Sequence, residues 1–264
     1  MALFLSVAAA PIACGIGLAA KKQPAGAHFS LMTYNVNFGR SGAPETAAAI
    51  RETDADVVCL QETSPQWREY LDAELKDQYP HERYRHYGQA GGMAILSKLP
   101  FRDVAYTKPQ PRFFPSWVVE VDTPLGPVQI CQVHLNAPIV KEGTASLCAY
   151  LKNGETHTQE LSEVFGELNA KLPRLILGDF NENDSGGGVK WLRERGFQDA
   201  LSRFDTSSET WRWDYGFLTF RDRLDHIMYS QELRPASAWV VDKGKSDHLP
   251  LVAVMERAGR PAKP

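Results

Sequence analysis

Six segments of the sequence join an apolar run to side chains that can bind a cation, hold a phosphate oxygen or move a proton. The segments are TYNVN, VCLQE, CQVHL, LGDFN, RLDHI and KSDHL. They supply eight candidate site residues: Asn35, Glu62, His134, Asp179, Asn181, Asp225, Asp247 and His248. Because polar strand ends at one edge of a sheet form a rigid platform, we expect these side chains to converge.

Each motif, taken alone, also has a purely structural interpretation. Asn35, Asp179 and Asn181 are residue types typical of turns. Glu62 precedes a predicted helix, where an acid caps the helix dipole. A single histidine such as His134 is often structural. The joint occurrence of all the motifs favours a functional site.

The residue types indicate metal-assisted hydrolysis of a phosphate ester. Attack of water on a phosphodiester builds negative charge on the phosphoryl oxygens, which a cation and one or two histidines stabilise. Carboxylates and amides without a cysteine or histidine cluster favour Mg²⁺ or Mn²⁺ over zinc. A carboxylate beside a metal can act as a base, and an Asp–His pair keeps an imidazole charged and aimed. Whether Asp179 or His248 takes the proton stays open.

The elements that must position these residues are a mixture of strands and helices. Strands are predicted at 29–36, 56–62, five short segments within 82–135, RLILGDFN, TWRW, DHIMYS, SAWVVD and LVAVME, and helices at 44–53, 65–79, about 154–171 and 187–196. Residues 122–127 are predicted to form a hairpin turn. The pattern is neither strict βαβ alternation nor all-β. It predicts an α/β fold, a four-layer α/β sandwich with two packed mixed sheets flanked by helices.

Length and composition are those of one globular domain, which we place at residues 27–258, with a tail at 259–264. The chain has 264 residues, of which 43% are hydrophobic and 23% charged. The net charge of -3 excludes an overall basic field and argues against tight nonspecific binding of long nucleic acid. A local basic face stays open, and we expect a monomer.

The N-terminal segment is apolar. Residues 2–20 contain no charged side chain, and Lys21 and Lys22 follow. Residues 1–26 are predicted to be a signal peptide or membrane anchor plus linker, so that the protein is exported or membrane-anchored and associates with a membrane through this segment. The missing basic start leaves a misassigned start or a tail open, in which case the protein is cytoplasmic.

The cysteines predict no metal site, because the chain has no CxxC and no Cys/His zinc spacing. Cys59 and Cys131 lie in strand-like runs and are expected to be buried. A disulfide between Cys131 and Cys148 stays open if the protein is exported.

The order of these motifs resembles the endonuclease/exonuclease/phosphatase superfamily, which is deoxyribonuclease-like and Mg-dependent. The resemblance spans about residues 29–256, and GDFN and SDH are its most specific parts. It implies the four-layer fold reached above. Site roles follow residue by residue. Glu62 is the principal ligand of a divalent metal, with Asn35 beside it, and Asp247 joins the metal and histidine network. Asp179 orients and deprotonates the attacking water. Asn181 holds the phosphate or the water, His248 contacts the scissile phosphate and is oriented by Asp225, and His134 donates to a phosphate oxygen.

The sequence departs from the superfamily pattern at two places. Asn37 is an amide where abasic-site endonucleases often have an acid, which weakens a second metal site. A tyrosine near His134 is not obvious, and Tyr84 and Tyr87 are candidates only by location. Glu182 and Asp184, which extend GDFN, are interpreted as part of a solvated loop.

The substrate class is the least determined feature. Arginines and aromatics in 111–117 and 209–223, predicted to be loops, indicate either a nucleic-acid contact or hydrophobic packing. The candidate phosphate contacts there are Arg212, Arg221 and Arg223. We therefore predict a phosphodiesterase whose substrate is nucleic acid. The alternatives are a sphingomyelinase-like phospholipid phosphodiesterase, a phosphomonoesterase and, from another class, a noncatalytic binding module.

Overall fold

A computed structural model describes residues 24–107, 114–137, 147–215 and 218–259 of the chain. Its strands are β1 (His28–Asn35), β2 (Val57–Gln61), β3 (His81–Arg85), β4 (Met93–Ser97), β5 (Phe101–Thr107), β6 (Ser116–Thr123), β7 (Gly126–His134), β8 (Arg174–Asp179), β9 (Gln198–Asp199), β10 (Trp211–Tyr215), β11 (Leu218–Asp222), β12 (Asp225–Tyr229), β13 (Leu233–Val240) and β14 (Leu251–Arg257). Its α-helices are α1 (Pro44–Thr53), α2 (Pro65–Leu75), α3 (Leu147–Phe165) and α4 (Gly187–Glu194).

Two six-stranded mixed sheets form the centre of the molecule. The first has the order β13-β14-β1-β2-β4-β3, and the second β5-β6-β7-β8-β12-β9. Each contains one parallel pair, β1 with β2 and β7 with β8, and its other pairs are antiparallel. A separate hairpin pairs β10 with β11.

Three buried apolar clusters define four layers. One lies between the sheets and includes Leu31, Ile95, Trp117 and Leu177. The second joins the first sheet to α1 and α2, and the third joins the second sheet to α3 and α4. The order is therefore helices, sheet, sheet, helices, which confirms the predicted four-layer α/β sandwich.

Local sequence explains where the helices lie. Pro65 occupies the first turn of α2, and the Ser64 hydroxyl accepts a hydrogen bond from the Trp67 amide as an N-cap. Trp67, Leu71 and Leu75 then recur at helical spacing and are buried against the first sheet. The continuous apolar run of β2 is buried at every position, as a strand covered on both faces requires.

Several predicted elements differ from those observed. The helix predicted at 65–79 ends at Leu75, and the one predicted at 154–171 is α3, which begins at Leu147 and ends at Phe165. The hairpin turn after β6 is confirmed by the pairing of Thr123 with Gly126. The strand predicted at TWRW is confirmed as β10. The loop predicted across 209–223 is wrong, because residues 218–222 form β11, which pairs with β10.

Some predictions concern residues outside the described ranges. Residues 1–23 lie there, so the assignment of a signal peptide or membrane anchor stays a prediction. The domain limits at residues 27 and 258 stay predictions as well. Among the residues the structure describes, no helix has the length and apolar character needed to cross a membrane. Cys59 and Cys131 are buried free thiols. The side chain of Cys148 is outside the described part, and so are residues 111–113 of the predicted loop 111–117.

Candidate functional site

Strand register brings the candidate residues to one edge of the sandwich. In the first sheet Asn35 ends β1 opposite Gln61, which ends the parallel β2, and Glu62 follows. In the second sheet Asp179 at the end of β8 is paired with both His134 and Asp225. The segment before β14 returns to the same edge because β14 runs antiparallel to β1.

Asp179 is the centre of the arrangement and is only 1% exposed. Its Oδ2 accepts from Asn35 Nδ2 at 3.0 Å and lies 3.6 Å from His134 Nε2 and 3.5 Å from His248 Nε2. Its Oδ1 accepts from the backbone N–H of Asn181 at 2.9 Å. One carboxylate thus meets an amide and two imidazoles, which suits a group that exchanges a proton beside an anion.

Asn35 links the two sheets. Its Nδ2 donates to Glu62 Oε1 at 3.0 Å as well as to Asp179, and its Oδ1 accepts from the Asn37 N–H at 3.0 Å. The second oxygen of Glu62 accepts from the Phe38 N–H at 3.2 Å. The two carboxylates that Asn35 joins offer hard oxygen atoms without a thiolate, the donor type that a divalent cation of the Mg²⁺ kind prefers.

Asp247 stands beside this cluster and is connected to it through Asn37. Its Oδ1 accepts from Asn37 Nδ2 at 2.9 Å, and its Oδ2 accepts from Trp211 Nε1 at 3.2 Å. Burial by itself raises the pKa of Asp247, but the His248 charge and the Asn37 hydrogen bond outweigh burial and lower it. Asp247 is therefore a fixed carboxylate at neutral pH.

His248 is held by a buried acid. Its Nδ1 lies 2.8 Å from Asp225 Oδ2, and the Asp225 side chain is fully buried. Burial alone lowers the pKa of His248, but Asp225 and Asp179 outweigh burial and raise it to about 10. The pKa of Asp225 is raised by its own burial, although His248 opposes the shift. The pair thus holds a positive imidazolium against an acid that is out of contact with water.

His134 is positioned by two different contacts. Its Nδ1 lies 3.1 Å from the Ala90 carbonyl oxygen, and because a carbonyl can only accept, Nδ1 carries a proton. The Phe114 ring stacks on the imidazole with centroids 4.2 Å apart. These contacts leave Nε2 facing Asp179.

Strained backbone is concentrated at this edge. Among the described residues other than glycine, positive φ occurs at Asn37, Glu62 and Asn181, with φ of 58°, 59° and 50°, and at Asp54 at the end of α1. Such conformations cost about 1–3 kcal/mol each and persist only where the surroundings impose them. Gly178 has a φ of 142°, and a Cβ there would lie 1.8 Å from the Val133 carbonyl oxygen. The glycine of GDFN is thus required by the close approach of β7 and β8.

The structure brings all eight predicted site residues into one connected network of contacts. Their individual roles in binding a metal or moving a proton stay predictions. Sequence reasoning missed Phe114, Ala90, and the indole donors of Trp67, to the Asn37 carbonyl oxygen, and of Trp211. The tryptophans were visible only as apolar residues, since nothing in the pattern shows where an indole N–H points.

The two tyrosine candidates do not fill the position near His134. Tyr84 packs with the helix-facing cluster of the first sheet, and Tyr87 is 49% exposed. The ring observed against His134 is that of Phe114.

Two other predictions were wrong. Glu182, interpreted as part of a solvated loop, is only 6% exposed and is bonded to His157 at 2.7 Å. Arg223, a candidate phosphate contact, is buried, and its guanidinium donates to Asp184, Ser202 and two backbone carbonyls.

The remaining two arginines of the hairpin have partners as well. Arg212 forms an ion pair with Asp242 and Arg221 with Glu209. Two aromatic residues that lie between them along the chain are exposed: Trp213 and Phe220 are 45% and 46% exposed, with ring centroids 5.8 Å apart. The hairpin presents an aromatic surface whose flanking charges are balanced.

Comparison with known proteins shows the family to which the chain belongs. The sequence model described as Endonuclease/Exonuclease/phosphatase family matches residues 32–248. Members of this family are hydrolytic phosphoesterases that depend on a divalent metal.

One curated relative is Inositol phosphosphingolipids phospholipase C of Saccharomyces cerevisiae, which is 29% identical over 166 residues. The alignment covers 56% of this chain and 34% of that protein, so the chain spans about a third of the relative's length.

Solved structures show the same fold. The endonuclease/exonuclease/phosphatase from Beutenbergia cavernae has a TM-score of 0.69 and 22% identity, covering 90% of this chain and 73% of that chain. The structure of D. rerio TDP2 complexed with single strand DNA product has a TM-score of 0.65 and 16% identity, covering 87% of this chain and 99% of that chain.

Proposed function

Because this chain belongs to the endonuclease/exonuclease/phosphatase family, we propose that it is a divalent-metal-dependent phosphodiesterase whose substrate is nucleic acid. One observation carries the proposal: the side-chain nitrogens of Asn35, His134 and His248 all lie 3.0 to 3.6 Å from the same atom, Asp179 Oδ2. A noncatalytic binding module has no need for a buried carboxylate between two imidazoles.

Each group of the network has a chemical task at an anionic phosphoryl centre. Glu62 and Asn35 would hold the metal, with Asp247 beside them, and the bound cation supplies positive charge against the phosphoryl oxygens. Asp179 accepts the proton of the attacking water. His248, protonated at neutral pH, donates from Nε2 to a phosphoryl oxygen. Because the Ala90 carbonyl holds the Nδ1–H of His134, this ring donates to another phosphoryl oxygen from Nε2 only when both of its nitrogens carry a proton.

The choice of nucleic acid rests on the aromatic hairpin surface. Stacking of a base on an aromatic ring contributes about 1–3 kcal/mol per base and does not depend on sequence. Trp213 and Phe220 offer such rings, and Trp211 of the same hairpin donates to Asp247 of the site. A strand whose phosphate lies at Asp179 therefore has a stacking surface next to it.

A phospholipid headgroup phosphodiester is the second candidate. The curated relative acts on inositol phosphosphingolipids by its name. The balanced charges around Trp213 and Phe220 also suit a lipid interface, where aromatic rings insert without a basic patch. This candidate fits the proposal that residues 1–26 export or anchor the protein, which N-terminal sequencing of the protein purified from cell fractions would test.

The test is a substrate panel with bis(p-nitrophenyl) phosphate, single-stranded and duplex DNA, RNA, sphingomyelin and phosphoinositide vesicles, with Mg²⁺ and with EDTA. Activity on the small diester that requires metal and is lost in Asp179→Ala supports the phosphodiesterase. If none of these substrates is hydrolysed in a metal-dependent way, the proposed phosphodiesterase activity is refuted.

A matched pair of readouts assigns the substrate class. The double change Trp213→Ala with Phe220→Ala should leave turnover of bis(p-nitrophenyl) phosphate within about twofold while weakening cleavage of the true substrate about 10-fold or more. If that loss appears with vesicles rather than with DNA or RNA, the lipid candidate replaces the nuclease.

A further inference from the structure

Behind the site lies a second buried titratable cluster that the proposed chemistry does not use. Its centre is the pair of His157 on α3 and Glu182 after β8, which are 0% and 6% exposed. His157 Nδ1 lies 2.7 Å from Glu182 Oε2, and His157 Nε2 lies 2.8 Å from the Asn136 carbonyl oxygen. The imidazole thus connects the segment after β7 to the segment after β8.

These two segments carry site residues. His134 ends β7 two residues before Asn136, and Asn181 immediately precedes Glu182. The segments also bond each other directly: the Leu135 N–H donates to the Asp179 carbonyl at 2.9 Å, and Asn181 Nδ2 donates to the Leu135 carbonyl at 2.9 Å. His157 closes this set of links on the side away from the strands.

Helix α3 holds both backbone groups of Asn136. His157 meets its carbonyl oxygen, and one turn later Glu160 Oε2 accepts from its N–H at 3.1 Å. The peptide after His134 is therefore fixed from both sides by α3, none of whose described side chains is among the eight site residues.

Glu182 is enclosed as closely as His157. Its Oε1 accepts from the Val189 N–H in the first turn of α4 at 2.7 Å. A Cβ at Gly186 would lie 2.3 Å from Glu182 Cδ, and one at Gly188 would lie 2.8 Å from Glu182 Oε1. Side chains at Gly186 and Gly188 would therefore collide with this carboxylate, and the two glycines leave the space that it occupies.

We propose that the His157–Glu182 pair is a positioning element of the phosphoesterase site, which sets the segments bearing His134 and Asn181 relative to each other. The inference rests on the proposed function for its turnover readout. It explains why Asn181 stays in the left-handed conformation, since the residue lies between the Asp179 contact and the clamped Glu182.

Two substitutions at Glu182 distinguish the length of this side chain from its negative charge. In Glu182→Gln the amide oxygen can still accept from Val189, and the amide nitrogen can donate to Nδ1 of a neutral His157 whose Nε2–H still meets Asn136. Every link therefore survives without the charge. Glu182→Asp keeps the charge but is one methylene shorter, so it cannot reach both His157 and Val189.

The experiment measures kcat and KM on bis(p-nitrophenyl) phosphate, and the Mg²⁺ concentration for half activity. Glu182→Gln should keep kcat within about threefold, whereas Glu182→Asp and His157→Phe should lower kcat about 10- to 100-fold with KM and the Mg²⁺ requirement within threefold. Val164→Ala, which removes core packing from the same helix, should keep kcat within about twofold despite lower stability.

Backbone hydrogen exchange at residues 134–137 and 180–183 reports the same alignment without turnover, and should be faster in Glu182→Asp than in Glu182→Gln. Equal kcat and equal exchange in the two Glu182 variants, or a larger loss in Glu182→Gln, overturns the inference. An inactive wild-type protein refutes the proposed function instead. The hydrogen-exchange measurement then decides alone whether the His157–Glu182 pair positions the two segments.

Discussion

Replacing Asp225 by Asn tests whether the His248 imidazolium is needed for turnover. The change keeps the shape of the side chain but removes the buried charge that lies 2.8 Å from His248 Nδ1. Removing one partner of a buried ion pair costs about 3–5 kcal/mol. If that cost falls on the transition state, at about 1.36 kcal/mol per factor of ten, kcat/KM falls about 10²- to 10⁴-fold.

The assay is hydrolysis of bis(p-nitrophenyl) phosphate at pH 7 with saturating Mg²⁺, with circular dichroism to verify the fold. Asp103→Asn is the control, since Asp103 also accepts from charged groups, Arg83 and Arg85, but lies on β5 outside the network. It should keep activity within about twofold, because surface ion pairs contribute about 1 kcal/mol or less to stability. A folded Asp225→Asn variant with less than a tenfold loss would refute the assignment of His248 as a charged phosphate contact.

Three further predictions concern metal, packing and pH. Glu62→Gln should raise the Mg²⁺ concentration for half activity about 10-fold or more, and a loss that no Mg²⁺ concentration restores would contradict the metal role. Gly178→Ala should lower the free energy of unfolding in urea by about 3 kcal/mol or more, and Gly42→Ala, with a φ of 86° but no atom within 4 Å, by about 1 kcal/mol; equal losses would refute the steric argument. In the buried Asp199–His226 pair, burial alone would lower the pKa of His226 and raise that of Asp199. The interaction between the two side chains outweighs burial, so the pKa of His226 is raised and that of Asp199 is lowered. The stabilisation from this pair is therefore complete between about pH 4 and 6.5. It is lost as pH rises through the raised pKa or falls through the lowered one, and Tm measured against pH should therefore vary less in Asp199→Asn than in the wild type.

Much of the fold follows from periodicity and length. The apolar run VVCLQ is typical of a strand buried on both faces, and Trp67, Leu71 and Leu75 recur at helical spacing, so β2 and α2 were predictable. The β10–β11 hairpin was only half predictable: TWRW was predicted as a strand, whereas the second strand, in which Phe220 is exposed, lacks the apolar alternation of a strand that faces a core.

The meeting of the eight candidate residues was predictable, but the residues that hold them in place were not. Each of the eight residues ends or begins an apolar run, and that pattern is visible without coordinates. His157 and Glu182 have no such pattern, because His157 lies within a helical stretch and Glu182 follows the GDFN motif as an ordinary loop acid. Only the path of α3 over the second sheet shows that the two meet at 2.7 Å.

Geometry remains beyond sequence because the site is divided between the two sheets. Asn35 and Glu62 come from the first sheet, whereas His134, Asp179 and Asp225 come from the second. The Asn35 amide spans the division, with 3.0 Å to a carboxylate on each side. Sheets that pack face to face are about 10 Å apart, and that spacing is set by the side chains between them. The distance between the proposed metal-binding acid, Glu62, and the proposed base, Asp179, is therefore fixed by the volume of the buried cluster around Leu31 and Leu177, a property of packing that no motif records.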